Sequence, residues 1–349
     1  MMNTCVSAVP RSPKIAYIRI LEACNAKCKM CRFAGSTDIY RLPLEKLKQL
    51  AAELAELDTE EIRFTGGEPT LYEDLMEAIR FIRSLGLRVS TITNGSRLKH
   101  YAAELVDAGI TGIVCSLDSP RAEIHNTLRG TPRLFEDAVE GLAEINRLRD
   151  REKGGLKLVV NSIVSNRTYD HLDEFIPLLD EIGVDLWRLN PIKDVKGMYL
   201  TPDEIRQYNV VAARIQDRLQ TSRVRLNAVN PFIFGTSEEE IEGCSKGKAL
   251  TYSKCFVPLY VSYIDAKNGS MTACQCLPHR KGKPLSVEGV FERPFKDIWN
   301  ESQFASNRQS FSQVAPQVCT GCEPANVKWN KDYHERQLEA ADYSFSWDS

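Results

Sequence analysis

Three cysteines stand within eight residues, Cys24, Cys28 and Cys31, spaced C-x3-C-x2-C. They follow an apolar run, Ile15 to Leu21, that reads as a strand. A short polar loop of this kind can wrap so that its thiolates face one inorganic centre. Three thiolates suit a [4Fe–4S] cube with one iron left open, and an open iron points to chemistry as well as electron storage. The alternative is half a zinc site, which needs a fourth ligand nearby, yet no His precedes His100. Disulfides fit poorly, because nothing marks the chain as secreted. More cysteines lie towards the other end, Cys244, Cys255, Cys274, Cys276, Cys319 and Cys322, so metal or redox chemistry has a second home there, with zinc the alternative to a cluster.

The elements that position these groups alternate. Strand patterns at Ile15–Leu21, Glu61–Thr65, Arg88–Thr93, Gly112–Leu117, Leu156–Val164 and Asp185–Pro191 are each followed by a helical one. The helices are expected at Pro43–Leu57, Leu71–Leu85, Leu98–Ala108, Leu134–Arg149, Tyr169–Ile182 and Pro202–Gln220. Gly86, Gly109 and Gly183 fall just past helices, where a left-handed cap belongs. Six such parallel βαβ units predict an α/β fold, an open barrel or a doubly wound sheet, with chemistry at the strand C-termini. The cysteine loop, Gly66-Gly67-Glu68-Pro69, Asn94-Gly95, Ser116-Leu117-Asp118 and Asn190-Pro191 all fall at that rim. After about Thr221 the pattern becomes irregular. The acidic run Glu238–Glu240 reads as a solvated face, Phe256–Ile264 as β-rich, Asn268-Gly269 as a hairpin turn and Phe295–Phe304 as a short helix.

The 349 residues are 43% hydrophobic and 26% charged, with a net charge of −2. This is ordinary globular composition, with no electrostatic case for nucleic acid or an anionic membrane. No apolar run of about 18 residues predicts a membrane helix, and residues 1–13 carry no long apolar signal segment. A cytoplasmic protein with reduced thiols is expected.

Together these residues resemble the radical S-adenosylmethionine (SAM) superfamily. C-x3-C-x2-C follows the first strand, and Gly66-Gly67-Glu68-Pro69 follows the second, as in the family's GGE-type motif. Asn94-Gly95, Ser116-Leu117-Asp118-Ser119 and His125-x3-Arg129-Gly130 match later loops. Met30 stands where many members have an aromatic residue. The C-terminal spacing, with Gly269 five before Cys274 and Cys322 as the last cysteine, resembles the truncated twitch form of SPASM enzymes. The resemblance implies a partial (β/α)6 TIM barrel over residues 14–221, after a flexible residue 1–13 segment. A small α+β twitch-type auxiliary-cluster domain would follow over 222–335, then a tail over 336–349. It implies two [4Fe–4S] clusters, one on Cys24, Cys28 and Cys31 and an auxiliary one on Cys255, Cys274, Cys319 and Cys322. SAM would chelate the open iron of the first through its amine and carboxylate. Reductive cleavage would then give a 5′-deoxyadenosyl radical that abstracts hydrogen from substrate. Gly66, Gly67, the Glu68 carboxylate and Pro69 would hold the SAM ammonium. Ser116 and Arg129 would bind its carboxylate or ribose, Met30 would cover the adenine, and Asn94, Asp118, Asn161 and Asn190 would complete the site. A flavodoxin- or ferredoxin-type protein would donate electrons.

A closed auxiliary cluster suits removal of one electron, so the first expectation is oxidation of a secondary alcohol in a small polar metabolite such as a sugar, aminocyclitol or nucleoside. Decarboxylation, epimerisation and SPASM-type peptide maturation are the alternatives. Epimerisation would need a thiol hydrogen donor, for which Cys115, Cys244 and Cys276 are the candidates, although Cys115 is expected to face the barrel interior as a small apolar residue. Substrate contact is expected from the segment after the sixth strand: Arg188, Lys193, Asp194, Lys196 and Tyr199. Lys193 and Asp194 could also form a proton-transfer pair, and a solvated surface loop is the competing reading.

Overall fold

The structure, a computed structural model, describes residues 10–149, 155–193, 195–226, 231–247, 255–275 and 285–313. Cys276, Cys319, Cys322, Asp194 and the tail after Trp329 lie outside the described residues.

Six parallel strands form in chain order: β1 (Ile15–Leu21), β2 (Glu61–Gly66), β3 (Arg88–Thr93), β4 (Gly112–Ser116), β5 (Lys157–Val164) and β6 (Leu186–Pro191). Helices α1 (Leu44–Glu56), α2 (Leu75–Ser84), α3 (Leu98–Asp107), α4 (Ala122–Arg129), α5 (Leu134–Leu148), α6 (Phe175–Ile182) and α7 (Pro202–Leu219) return the chain between strands and cover one face. In α1 the buried residues Leu47, Leu50, Ala51 and Leu54 recur at three and four, the stripe that an amphipathic helix lays on a sheet. Helix α7 begins at a capping box, Thr201 with Glu204, and has Pro202 in its first turn. The alternation thus yields the expected partial barrel. Helix α4 was read only as a motif segment, and is a true two-turn helix ended by Gly130 in the left-handed conformation.

The C-terminal region joins the same sheet. Helix α8 (Glu238–Ser245) forms where irregular chain was expected, nucleated by a Ser237–Glu240 capping box that the acidic run conceals. Part of the expected β run forms the short helix α9 (Val257–Tyr260) before strand β8 (Val261–Asp265). Strand β8 turns at Asn268-Gly269 into antiparallel β9 (Ser270–Thr272), which pairs with β10 (Ser286–Glu288). Strand β8 also pairs in parallel with β1, Tyr17 opposite Tyr263 and Arg19 opposite Asp265. With short β7 (Arg225–Leu226) beyond β6, the order is β10-β9-β8-β1-β2-β3-β4-β5-β6-β7. The division expected at residue 221 is therefore not a break in the sheet. The expected Phe295–Phe304 helix is two, α10 (Phe295–Trp299) and α11 (Ser302–Phe311).

Alternation along the strands sorts the side chains into two faces. Cys115 and Val160 align with Trp187, which packs on Phe175 of α6, so this row faces the helices. Ser116 and Asn161 align with Arg188 and face the barrel interior. The interior floor is polar. Buried Arg63 donates to Glu61 Oε1 (2.8 Å), Ser90 Oγ (2.9 Å) and Tyr17 Oη (3.0 Å), so its charge is paired and its donors are satisfied.

Candidate active site

The cysteine loop leaves the C-terminal end of β1 and closes on itself. Cys24 N–H donates to Ser36 O (3.1 Å), Gly35 N–H to Ala26 O (2.8 Å) and Cys31 N–H to Cys28 O (3.1 Å). The end of α4 clamps it: Lys27 N–H donates to Arg129 O (3.0 Å) and Lys29 N–H to Leu128 O (2.9 Å). A Cβ at Gly130 would overlap the Lys27 carbonyl, so this approach requires glycine. Gly67 and Glu68 dock on the same loop from β2, Gly67 N–H to Leu21 O (3.1 Å) and Glu68 N–H to Ala23 O (2.8 Å). The paired glycines are thus required by close packing of two main chains, whatever they also hold.

Two of the expected site residues are held by neighbouring loops. Glu68 is fully buried with both carboxylate oxygens engaged. Oε1 accepts from Thr70 N–H (3.0 Å), Thr70 Oγ1 (2.7 Å) and Thr93 Oγ1 (2.7 Å), and Oε2 from Asn94 N–H (2.7 Å). Burial pushes its carboxyl up, against these hydrogen bonds. This carboxylate ties the β2 and β3 loops together beside the cysteine loop. Arg129 is likewise engaged, through Nε to Asp118 Oδ2 (2.7 Å) and Nη2 to Asp118 Oδ1 (2.9 Å). Its Nη1 lies 3.9 Å from Cys28 Sγ. Burial alone would raise the Asp118 carboxyl, but Arg129 outweighs it and holds it below the usual range. Arg129 therefore presents positive charge to a thiol, while Asp118 holds its Nε and Nη2.

The other rim residues sit as follows. Asn94 Nδ2 donates to Asn25 Oδ1 (2.8 Å), and Asn190 Nδ2 donates to Asn161 Oδ1 in the interior. Met30 packs with Cys24 on Ala26, Cys28 and Leu134, and buried Pro69 opens a 3-10 turn. Lys193 and Arg188 are half-buried on and beyond β6, Lys196 is exposed, and Tyr199 packs on Gly247. Cys115 faces helix α5, beside Gly95 and Ala138, and not the barrel interior; burial pushes its thiol up to about 12. A thiol held there cannot reach the interior. Cys244 is buried in the apolar core.

The chemistry of the first donor set, three thiols on one loop, suits an iron–sulfur group. Cys24, Cys28 and Cys31 approach closely enough that Cys28 and Cys31 add to burial in raising Cys24 to about 11. A cationic centre relieves that repulsion, and Arg129 stands beside one ligand. At the other end Cys255 N–H donates to Phe311 O (2.8 Å) at the close of α11. On that helix fully buried Arg308 donates to Trp299 O (2.8 Å) and stacks on the Trp299 ring (3.7 Å to its centroid), while its Nε and Nη1 have no acceptor among the described residues.

A cavity lined by none of the cysteines themselves lies between the end of the cysteine loop and strands β8, β9 and β10. About 400 Å3 in volume, it is walled by Arg32 and Phe33, directly after Cys31, and by Tyr263, Thr272 and Ser286 of the hairpin. Thr272 Oγ1 donates to Cys274 O (3.1 Å), so this wall leads to Cys274. Sequence reading missed the cavity, because its lining comes from β1, the cysteine loop and three distant strands.

Comparisons with known proteins agree. Residues 18–151 match the radical SAM superfamily and residues 255–323 an iron–sulfur cluster-binding (SPASM) domain. The chain is 29% identical to an AdoMet-dependent heme synthase of Oleidesulfovibrio alaskensis, over 94% of this chain and 84% of that one. A probable GTP 3′,8-cyclase of Saccharolobus islandicus is 30% identical over 58% of this chain and 66% of its own length. The fold is similar to that of SAM-bound SuiB from Streptococcus suis, with a TM-score of 0.66 and 16% identity over 86% of this chain and 68% of that one. It is also similar to SAM-bound anSMEcpe, with a TM-score of 0.62 and 14% identity over 95% and 99%. With its three-cysteine loop, its GGE turn on a partial barrel and its second cysteine region, the chain belongs to the radical SAM superfamily, as an enzyme with a C-terminal SPASM domain that uses SAM, a [4Fe–4S] cluster and an auxiliary iron–sulfur cluster.

Proposed function

We propose that the cavity between the cysteine loop and the β8–β9 hairpin holds a small polar substrate, which is oxidised at a hydroxyl-bearing carbon. The observation that carries this reading is the cavity's position: one wall directly follows Cys31 and the other leads into Cys274. Bound on their cysteines, the two clusters and SAM supply hydrogen-atom abstraction and a sink for one electron. Loss of a hydrogen atom, one further electron and the hydroxyl proton leaves a ketone.

The chain's own residues orient the substrate and exclude water. Phe33 and Tyr263 form the aromatic part of the wall. Burial pushes the Tyr263 hydroxyl up to about 12, so it stays protonated at neutral pH. Asn161 and Asn190, linked across β5 and β6, stand at the proposed SAM edge with Ser116. Lys193, half-buried, and Asp194, outside the described residues, are the proposed proton-transfer pair. Arg188, Lys196 and Tyr199 are proposed second-side substrate contacts, and an external electron donor of flavodoxin or ferredoxin type would start each turnover. The absence of Cys115 from the interior argues against epimerisation with that thiol as donor. A second reading, a tetrapyrrole substrate, draws support from the full-length similarity to heme synthases. Incubating the reduced enzyme with carbon-deuterated hydroxy metabolites tests the choice: deuterium in 5′-deoxyadenosine together with a ketone product supports oxidation. Transfer only from a deuterated tetrapyrrole would replace it.

A further inference from the structure

The hydrogen-bonding state of the cavity wall identifies the kind of group it receives. Its carboxylates are engaged by neighbours. Asp265 accepts from Arg19 through Oδ1 and from Asn268 Nδ2 (2.9 Å) through Oδ2. Glu22 lies 3.0 Å from Arg19 Nη2 through Oε1 and accepts from Lys267 Nζ (2.8 Å) through Oε2. Lys267 is held further by Asp38. Donors, in contrast, are left over. The Nε of Arg19, a side chain only 5% exposed, is buried without an acceptor. The Ser286 hydroxyl is also buried without a partner. Arg32 stacks its guanidinium on Phe33, 4.6 Å from the ring centroid, and has no carboxylate within ion-pair distance among the described residues. Arg19 already has Asp265 and Glu22 as counter-ions, so the charge left over on this wall is that of Arg32, and the donors unpartnered among the described residues call for oxygen lone pairs beside it.

We infer that this wall is a carboxylate subsite, in which Arg32 and Arg19 with Ser286 receive a carboxylate carried by the substrate. The planar fork of Arg32, held by stacking on Phe33, suits a planar carboxylate, with the Arg19 Nε as a further donor. The inference rests on the reading of this cavity as the substrate site. It narrows that substrate to a hydroxy acid or sugar acid, and it places the carboxylate on the cysteine-loop side.

The test compares ligands of one ring size on the anaerobically reconstituted enzyme: glucuronate, glucose and glucose 6-phosphate, each titrated by calorimetry. Glucuronate is expected to bind about tenfold or more tighter than glucose, the scale of one charge-assisted hydrogen bond. Arg32→Gln should remove most of that preference, Arg32→Lys should keep part of it, and Ser286→Ala should reduce it a few-fold. Because Arg32 is exposed, its variants should melt with the wild type. Equal binding of glucuronate and glucose, or a preference untouched in Arg32→Gln, overturns the carboxylate assignment, and so does tighter binding of the phosphate ester. The underlying reading is judged separately, by whether the reduced wild type forms 5′-deoxyadenosine from SAM: cleavage without carboxylate preference removes the subsite alone.

Discussion

His125 lies fully buried beside the rim, with its Nδ1 accepting from the Asp118 N–H (3.1 Å) and its Nε2 unpartnered. Burial pulls its pKa down to about 4, against the attraction of Asp118. The sign follows directly. Between the unfolded value of 6.5 and the folded value the unfolded state binds the extra proton, so stability is fully present above pH 6.5 and is lost as pH falls towards 4. The loss is on the order of 3 kcal/mol. His125→Asn, whose amide oxygen can keep the Asp118 contact, should flatten this slope in denaturant melts at stepped pH; an unchanged slope would contradict the assignment. The sequence carried the identity of His125, Asp118 and Arg129 but not how they are paired. The Asp118–Arg129 fork and the four bonds to Glu68 join residues from different loops, so their pairing is a tertiary fact. The face of Cys115 was misread for a related reason: period two sorts a strand's residues into two sets, and only packing shows which set meets the helices.

At the scale of elements, the turn Gly66-Gly67 holds the cysteine loop in place through main-chain contacts. A Cβ on Gly67 would overlap the Ala23 carbonyl oxygen and lie 2.5 Å from that of Glu22. No flexible side chain can give way there, so Gly67→Ala must move one main chain off the other, at about 3 kcal/mol or more. The expected result is a lower melting temperature and loss of iron from the N-terminal site while the auxiliary cluster is retained, read by iron analysis and electron paramagnetic resonance. Full iron content in this variant would show that the close approach is not needed. The strands of the barrel were legible almost to the residue, because strand–helix alternation with glycine caps is a local signal. The helix α8 was not, since three consecutive glutamates read as solvated chain until Ser237 is recognised as their cap.

The whole molecule is governed by a pairing that has no local signal. Strands β1 and β8 are separated by 246 positions at the Arg19–Asp265 contact, yet lie side by side. Through this pairing the SPASM region covers the β1 edge and completes the cavity. A chain ending after Gln220 would expose the edge of Ile15–Arg19, a run of buried apolar strand. Such a truncation is expected to aggregate or lose its cooperative melt, and a soluble, cooperatively folding barrel of residues 10–220 would contradict the shared-sheet account.

The central claim is that the first three cysteines start the chemistry and the second set forms a separate centre. It is tested most directly by reducing the anaerobically reconstituted enzyme with dithionite in the presence of SAM and measuring 5′-deoxyadenosine. The account predicts about eight irons per chain for two cubanes, steady formation of 5′-deoxyadenosine, and its loss in a Cys24→Ala, Cys28→Ala, Cys31→Ala variant that keeps about four irons. A reduced wild type that carries both clusters and leaves SAM intact would contradict it.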